Sequence, residues 1–169
     1  MKIFFSLLIF FIFSFSHFSF SCEIEEKKLG SYFSNKELND FKKSIAKNNN
    51  ENLYQFPAYL KCKEENLLHN SFVSYIVENN NLLQITLEQS GLDEAVILKY
   101  FYTKYKDRVP IKNFNNKLFG QSLFWETGNR QFNYISFTDR NNKKEVITIT
   151  PLDQKLRSQI YKIFEAKKE

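Results

Sequence analysis

The chain has 169 residues and a formal net charge of +5 at pH 7, and it contains only 4 Gly, 3 Pro, 2 Cys and 2 His. So few Gly, Pro and Cys residues exclude collagen-like, low-complexity and disulfide-dense proteins, and so few Cys and His residues exclude a dense metal site. The length favours a single domain, and the modest, mixed charge requires no nucleic-acid partner. We therefore expect no cofactor, no metal and no nucleic acid.

The first 21 residues have the layout of a secretory signal peptide. Lys2 precedes an apolar run of about 11 residues, within the roughly 7–15 of a signal peptide and below the roughly 20 of a membrane span. Ser19 and Ser21 then place small residues before Cys22, as signal peptidase requires. We predict that residues 1–21 are cleaved during export, and an uncleaved anchor is the alternative.

Two roles are open for Cys22. The segment Ser19-Phe20-Ser21-Cys22 resembles a bacterial lipoprotein signal, although Leu is usual three residues before the Cys. This resemblance implies a lipidated Cys22 that tethers the mature chain to a membrane. The alternative is that Cys22 pairs with Cys62 in an oxidising compartment, and the remaining case is two unrelated thiols. Closing a loop of about 40 residues would stabilise the fold by roughly 3–4 kcal/mol.

The first predicted elements are a helix and an irregular strand. Ser34 and Glu37 form a capping box at the start of the helix, which ends in the Asn run at 48–50. Residues 53–62 are β-prone, but Pro57 limits them to an edge or irregular strand.

A hairpin follows, with strands at 71–77 and 83–87 and a turn at 79–81, where Asn tolerates left-handed backbone. The period-two alternation of the second strand predicts one buried and one wet face.

A hairpin followed by a helix is predicted twice, at 71–106 and at 131–166. A long helix is predicted over about 92–106, with Asp93 and Glu94 in its first turn. Three strands are then predicted, over 123–126, 132–138 and 145–150. The last helix is predicted to begin with Thr150 as N-cap and Pro151 at its first position.

These elements predict an α+β fold. Hairpins separated by helices favour an antiparallel sheet of five to six strands, with two to three helices packed mainly on one face. The predicted organisation is a signal peptide at 1–21, a tether at 22–32 and a single domain at 33–169. A chain of this length buries enough surface to need neither a metal nor a disulfide.

A family resemblance rests on two motifs. Lys104-Tyr105-Lys106-Asp107-Arg108-Val109-Pro110 follows a helix, and Trp125-Glu126-Thr127-Gly128 lies on a strand that enters a turn. This layout resembles a diffuse group of uncharacterised exported bacterial α+β domains. In that group a Gly follows the Tyr and the Pro lies closer, and this chain departs from both features. The resemblance implies a fold and an envelope location, and no activity.

The sequence assigns no catalytic residue. Once residues 1–21 are removed, His69 is the single histidine, and we interpret it as structural or surface-exposed. Glu126 beside Trp125 is the best candidate for a catalytic acid. Cys62, seven residues before His69, is the best candidate for a nucleophile, but no third residue orients the pair.

A basic segment, residues 99–119, is the candidate surface for an anionic partner. Its cations are Lys99, Lys104, Lys106, Arg108, Lys112 and Lys117. Aromatic residues interleave with them, a mixture that contacts phosphates and stacks bases. In an exported protein the partners would be anionic lipid headgroups or an acidic polymer. The alternative is that the aromatics pack on the sheet while the cations face water.

The sequence thus favours a non-enzymatic binding or accessory protein of the cell envelope, either periplasmic or lipid-anchored, whose partner is an unidentified protein or envelope component. A secreted interaction protein that neutralises a toxin or engages a host target is the second hypothesis, and a small hydrolase is the third. The absence of an Asn-x-Ser/Thr acceptor from the sequence favours a bacterial source.

Overall fold

The computed structural model describes residue 22 and residues 28–44, 53–62, 66–91, 93–111 and 120–165. The predicted signal peptide, the Asn run at 48–50, and Lys112 and Lys117 lie outside these residues. In chain order the helices and strands are α1 (Asn35–Ser44), β1 (Leu53–Pro57), β2 (Phe72–Glu78), β3 (Asn81–Ser90), α2 (Val96–Lys104), β4 (Ser122–Thr127), β5 (Arg130–Asp139), β6 (Asn142–Pro151) and α3 (Gln154–Glu165).

The six strands form one antiparallel sheet in the order β1-β2-β3-β6-β5-β4. The order divides the sheet into two three-stranded meanders, which meet where Ile85 of β3 lies opposite Ile149 of β6. This architecture, one antiparallel sheet with three helices, confirms the predicted α+β class.

Tight turns close the two central hairpins. Asn79 and Asn80 have φ angles of 49° and 64°, and Arg140 and Asn141 have φ angles of 47° and 70°. Two consecutive left-handed residues twist the backbone in the sense that flanking strands require. The predicted Asn turn is therefore confirmed.

One face of the sheet, here called the first face, carries the larger core. Ile97, Leu98 and Phe101 of α2 are buried against it, together with Phe33 and Leu38 at α1. Trp125 stacks on Phe132 with ring centroids 5.1 Å apart, and the ring of Phe101 meets both edge to face. Aromatic pairs of this geometry add about 0.5–1.5 kcal/mol each beyond the area they bury.

The opposite, second face is covered in part by α3. Ile160 and Ile163 pack on Ile76 of β2 and Leu83 of β3. The expectation that one face of the β2–β3 hairpin is exposed to solvent is therefore wrong where α3 packs on Ile76 and Leu83. A bulge at Ile76 and Val77 shifts the register, so both faces of the hairpin carry apolar residues there.

The described part of the predicted tether lies on the domain. Cys22 and Leu29 are buried. The Gly30 amide donates to the Leu82 carbonyl, and the Leu82 amide donates to the Ser31 carbonyl. These bonds fix residues 28–33 against the start of β3.

Helix α1 begins at the predicted capping box. The Glu37 amide donates to Ser34 Oγ at 3.2 Å, and the Ser34 amide donates to Glu37 Oε2 at 2.9 Å. Two amides that the helix leaves without partners are satisfied by this reciprocal pair.

The other two helices begin later than predicted. Asp93 and Glu94 precede α2, because the Glu145 carboxylate of β6 occupies the helix N-terminus instead. Thr150 and Pro151 belong to β6. The cap of α3 is Asp153, whose Oδ1 accepts a hydrogen bond of 3.0 Å from the Leu156 amide.

No helix in the described part of the chain is both long enough and apolar enough to cross a membrane.

Candidate functional site

Cys22 and Cys62 form a disulfide. Their Cα atoms are 4.5 Å apart, and both residues are buried in the core. The bond joins the residue that follows the predicted signal peptide to the segment after β1. A Cys22 sulfur engaged in this bond cannot carry a thioether-linked lipid, and an oxidised Cys62 is no nucleophile.

The catalytic candidates do not converge. Glu126 is exposed on β4, at one edge of the sheet, whereas Cys62 follows β1 at the other edge. Five strand spacings of about 4.8 Å separate those edges by roughly 24 Å. His69 is exposed in the turn before β2. Trp125, beside Glu126, is buried on the first face.

The described cations of the basic segment lie on and after α2. Lys104, Lys106 and Arg108 are exposed, while the rings of Tyr100 and Phe101 are buried. Lys104 Nζ lies 5.5 Å from the centroid of the Tyr100 ring and 3.2 Å from its hydroxyl oxygen. The buried rings are unavailable to stack on a ligand, and a role for the cations stays a prediction.

A buried row of polar side chains, which was not identified from the sequence, crosses the first face of the sheet. Ser136 of β5 lies opposite Glu145 of β6, which lies opposite Gln89 of β3. Gln89 Oε1 accepts a hydrogen bond of 2.7 Å from the Ser71 hydroxyl. All four side chains are buried.

Glu145 is the centre of this row, and it caps α2. The Ile97 amide donates to Glu145 Oε2 at 2.7 Å. A carboxylate is favoured here because the first amides of a helix carry partial positive charge. The cap therefore ties α2 to a strand that follows it by 48 residues in the sequence.

Burial governs the ionisation of this row. Loss of solvent raises the pKa of Glu145 from its ordinary 4.5 to about 7, although the amides of Val96, Ile97 and Leu98 act in the opposite direction. Tyr134, two residues before Ser136 on β5, is buried beside this row. Its pKa is raised, mainly by burial and to a smaller extent by the negative charge of Glu145. Among the described residues, neither the Tyr134 hydroxyl nor Glu145 Oε1 has a well-formed hydrogen bond.

The row can hold or release a proton, but it presents no reactive atom to a substrate. Glu145 is 3% exposed and Tyr134 is 0% exposed. A signal in the sequence could have revealed the row. Gln89, Ser136 and Glu145 each continue the period-two core face of their strand, where an apolar residue is expected.

A cleft of about 190 Å³ lies between α3 and the second face. Its sheet side is polar, and its helix side carries one guanidinium and two aromatic rings. The lining includes Gln84, Gln131, Thr150, Arg157, Tyr161 and Phe164. None of these was identified from the sequence, because the cleft depends on where α3 lies across the sheet.

The remaining half of the second face is open and partly apolar. Its side chains Phe72, Phe124, Ile135 and Phe137 are 39–54% exposed. Ile135 lies opposite Val146 of β6 and Ser122 of β4, so the residues are spread across neighbouring strands.

Among the described residues, no group of three or more His, Cys, Asp or Glu side chains could hold a metal ion. The comparisons with known proteins add no assignment. The chain matches no protein-family model, no curated protein and no solved structure.

Proposed function

We propose that this protein is an exported, non-enzymatic binding domain of the bacterial cell envelope. The observation that carries the proposal is the disulfide between Cys22 and Cys62. Disulfides persist in the periplasm and outside the cell, whereas the cytosol keeps thiols reduced. Cys22 directly follows a segment with the layout of a signal peptide, so the two features support the same compartment.

Expression of the full chain in a bacterium with a periplasm tests this proposal. We expect the protein in the soluble periplasmic fraction, with the intact mass of residues 22–169 and without thiols that react with an alkylating reagent. A matched chain that lacks residues 2–21 should stay in the cytosol and expose two alkylatable thiols.

Full-length protein in the cytosol, with both thiols free, would contradict export. Membrane-bound protein with a lipid mass on Cys22 and a free Cys62 would support export and replace the disulfide by a lipid tether.

A second function, a secreted interaction protein, is favoured by the open apolar half of the second face. Exposed aromatic and aliphatic residues that are contiguous on a surface mark protein contact sites.

We expect the double substitution Phe124→Ser/Ile135→Ser to reduce binding of a hydrophobic dye without lowering the melting temperature. Substitution of Ser122 and Asn133 by Ala, on the same strands and face, should leave dye binding unchanged. Equal dye binding by the Phe124/Ile135 variant and the parent would argue against this surface.

A further inference from the structure

The cleft beneath α3 combines a polar floor with an aromatic wall. On the floor, Gln131 lies opposite Thr150, and Gln84 precedes Ile85, which lies opposite Ile149. The floor is therefore a row of two amides and one hydroxyl on three adjacent strands. This row interrupts the apolar contact between α3 and the sheet.

The wall is one flank of α3. Arg157, Tyr161 and Phe164 are spaced by four and three residues, so they share a side of the helix. The adjacent stripe contains Ile160 and Ile163 and is buried. The flank therefore faces the polar floor, and the mouth of the cleft stays open to solvent at Tyr161, which is 63% exposed.

The guanidinium of Arg157 carries the charge of the cleft. Within the described residues, no ion pair or hydrogen bond reaches this guanidinium, and the residue is partly buried. It is also the one charged group among the described residues that line the cleft. A guanidinium in this setting suits an anion, because Arg binds a carboxylate through two parallel hydrogen bonds.

We propose that this cleft binds a small organic monocarboxylate with an aromatic or apolar body. The carboxylate lies on Arg157, within reach of the Gln131 amide and the Thr150 hydroxyl, and the body lies against Tyr161 and Phe164. A single cation suits a singly charged carboxylate better than a doubly charged phosphate. A volume of about 190 Å³ is below the roughly 300–1,000 Å³ of clefts for drug-sized ligands, so the ligand is small.

This inference rests on the proposed role as a binding domain and does not depend on export. A failure of carboxylate binding would leave the results on processing and thiol oxidation unchanged. A failure of export would equally leave the cleft and its charge unchanged.

The test is a two-dimensional NMR titration of the purified, disulfide-linked chain with phenylacetate, phenylacetamide and inorganic phosphate. We expect phenylacetate to shift the amide signals of Gln131, Thr150 and residues 157–164 in a saturable manner. The neutral amide should bind about tenfold more weakly or not at all, because it cannot form the charge-assisted bidentate pair with Arg157. Phosphate can pair with Arg157 but has no apolar body to lie against Tyr161 and Phe164, so it should also bind more weakly than phenylacetate.

Arg157→Gln should weaken phenylacetate binding by about tenfold or more. Lys155→Gln removes the same charge from an exposed position of the same helix and should bind like the parent. The proposal is overturned if phenylacetate causes no saturable shift, if Arg157→Gln binds as tightly as the parent, or if phenylacetamide binds equally well.

Discussion

Replacement of Glu145 by Gln is expected to abolish most of the pH dependence of the unfolding free energy between about pH 5 and about pH 8. In the unfolded chain this carboxyl loses its proton near its ordinary pKa of 4.5, whereas burial keeps it protonated in the folded chain up to about pH 7. The folded state is therefore favoured at low pH, and that advantage disappears as the pH rises through 7. One pKa unit corresponds to about 1.4 kcal/mol, so the parent protein should lose about 3 kcal/mol over this range.

The amide introduced by Glu145→Gln stays neutral at every pH and still accepts the hydrogen bond of the Ile97 amide. Urea unfolding at about pH 5 and about pH 8 measures the effect. Glu126→Gln is the matched control, because it removes an exposed strand carboxylate and should retain the pH dependence of the parent.

Lys143, two residues before Glu145 on β6, forms an ion pair with Asp93, and their Nζ and Oδ1 atoms are 3.1 Å apart. This ion pair is exposed and contributes little. An NMR titration of the Glu145 carboxyl carbon reports the pKa directly. A midpoint near 4.5 would show that the buried row does not control the pH dependence.

Removal of the disulfide is expected to lower the unfolding free energy by about 3–4 kcal/mol. Cys22 and Cys62 are 40 residues apart in sequence, and their bond restricts the unfolded chain by the entropy of a loop of that length. Urea unfolding of the oxidised parent, the reduced parent and the double variant Cys22→Ala/Cys62→Ala measures the loss.

The reduced parent and the double variant should unfold at similar urea concentrations, and a reducing agent should have no further effect on the variant. If the oxidised and reduced proteins unfold at the same urea concentration, the bond adds no stability.

Local features were predictable from the sequence, and features that depend on register were not. The capping box of Ser34 and Glu37 and the turn at Asn79 and Asn80 involve neighbouring residues, and the structure confirms both. The start of α2 was predicted wrongly because its cap, Glu145, lies far along the chain. Its role follows only from the pairing of β3 with β6.

The candidate sites follow the same division. Pairing of the two Cys residues was one of the alternatives that the sequence left open. The cleft at Arg157 was not predictable, because Gln84, Gln131 and Thr150 come together only through strand pairing. Their polarity is also ordinary for strand residues that alternate with a core face. Which face of the sheet α3 packs against is determined by tertiary contacts, and no local sequence pattern indicates it.

The junction of β3 with β6 also determines the order in which the chain can fold. Each three-stranded meander pairs strands that are adjacent in sequence, so either one can form soon after its residues emerge. Ile85 and Ile149 are far apart in sequence, so β3 presents an unpaired apolar edge until the last strand arrives. If the chain crosses a membrane unfolded, with its N-terminus first, every molecule would pass through this state. In a chain exported in this way, we expect closure of this central junction to be the step at which folding competes with aggregation.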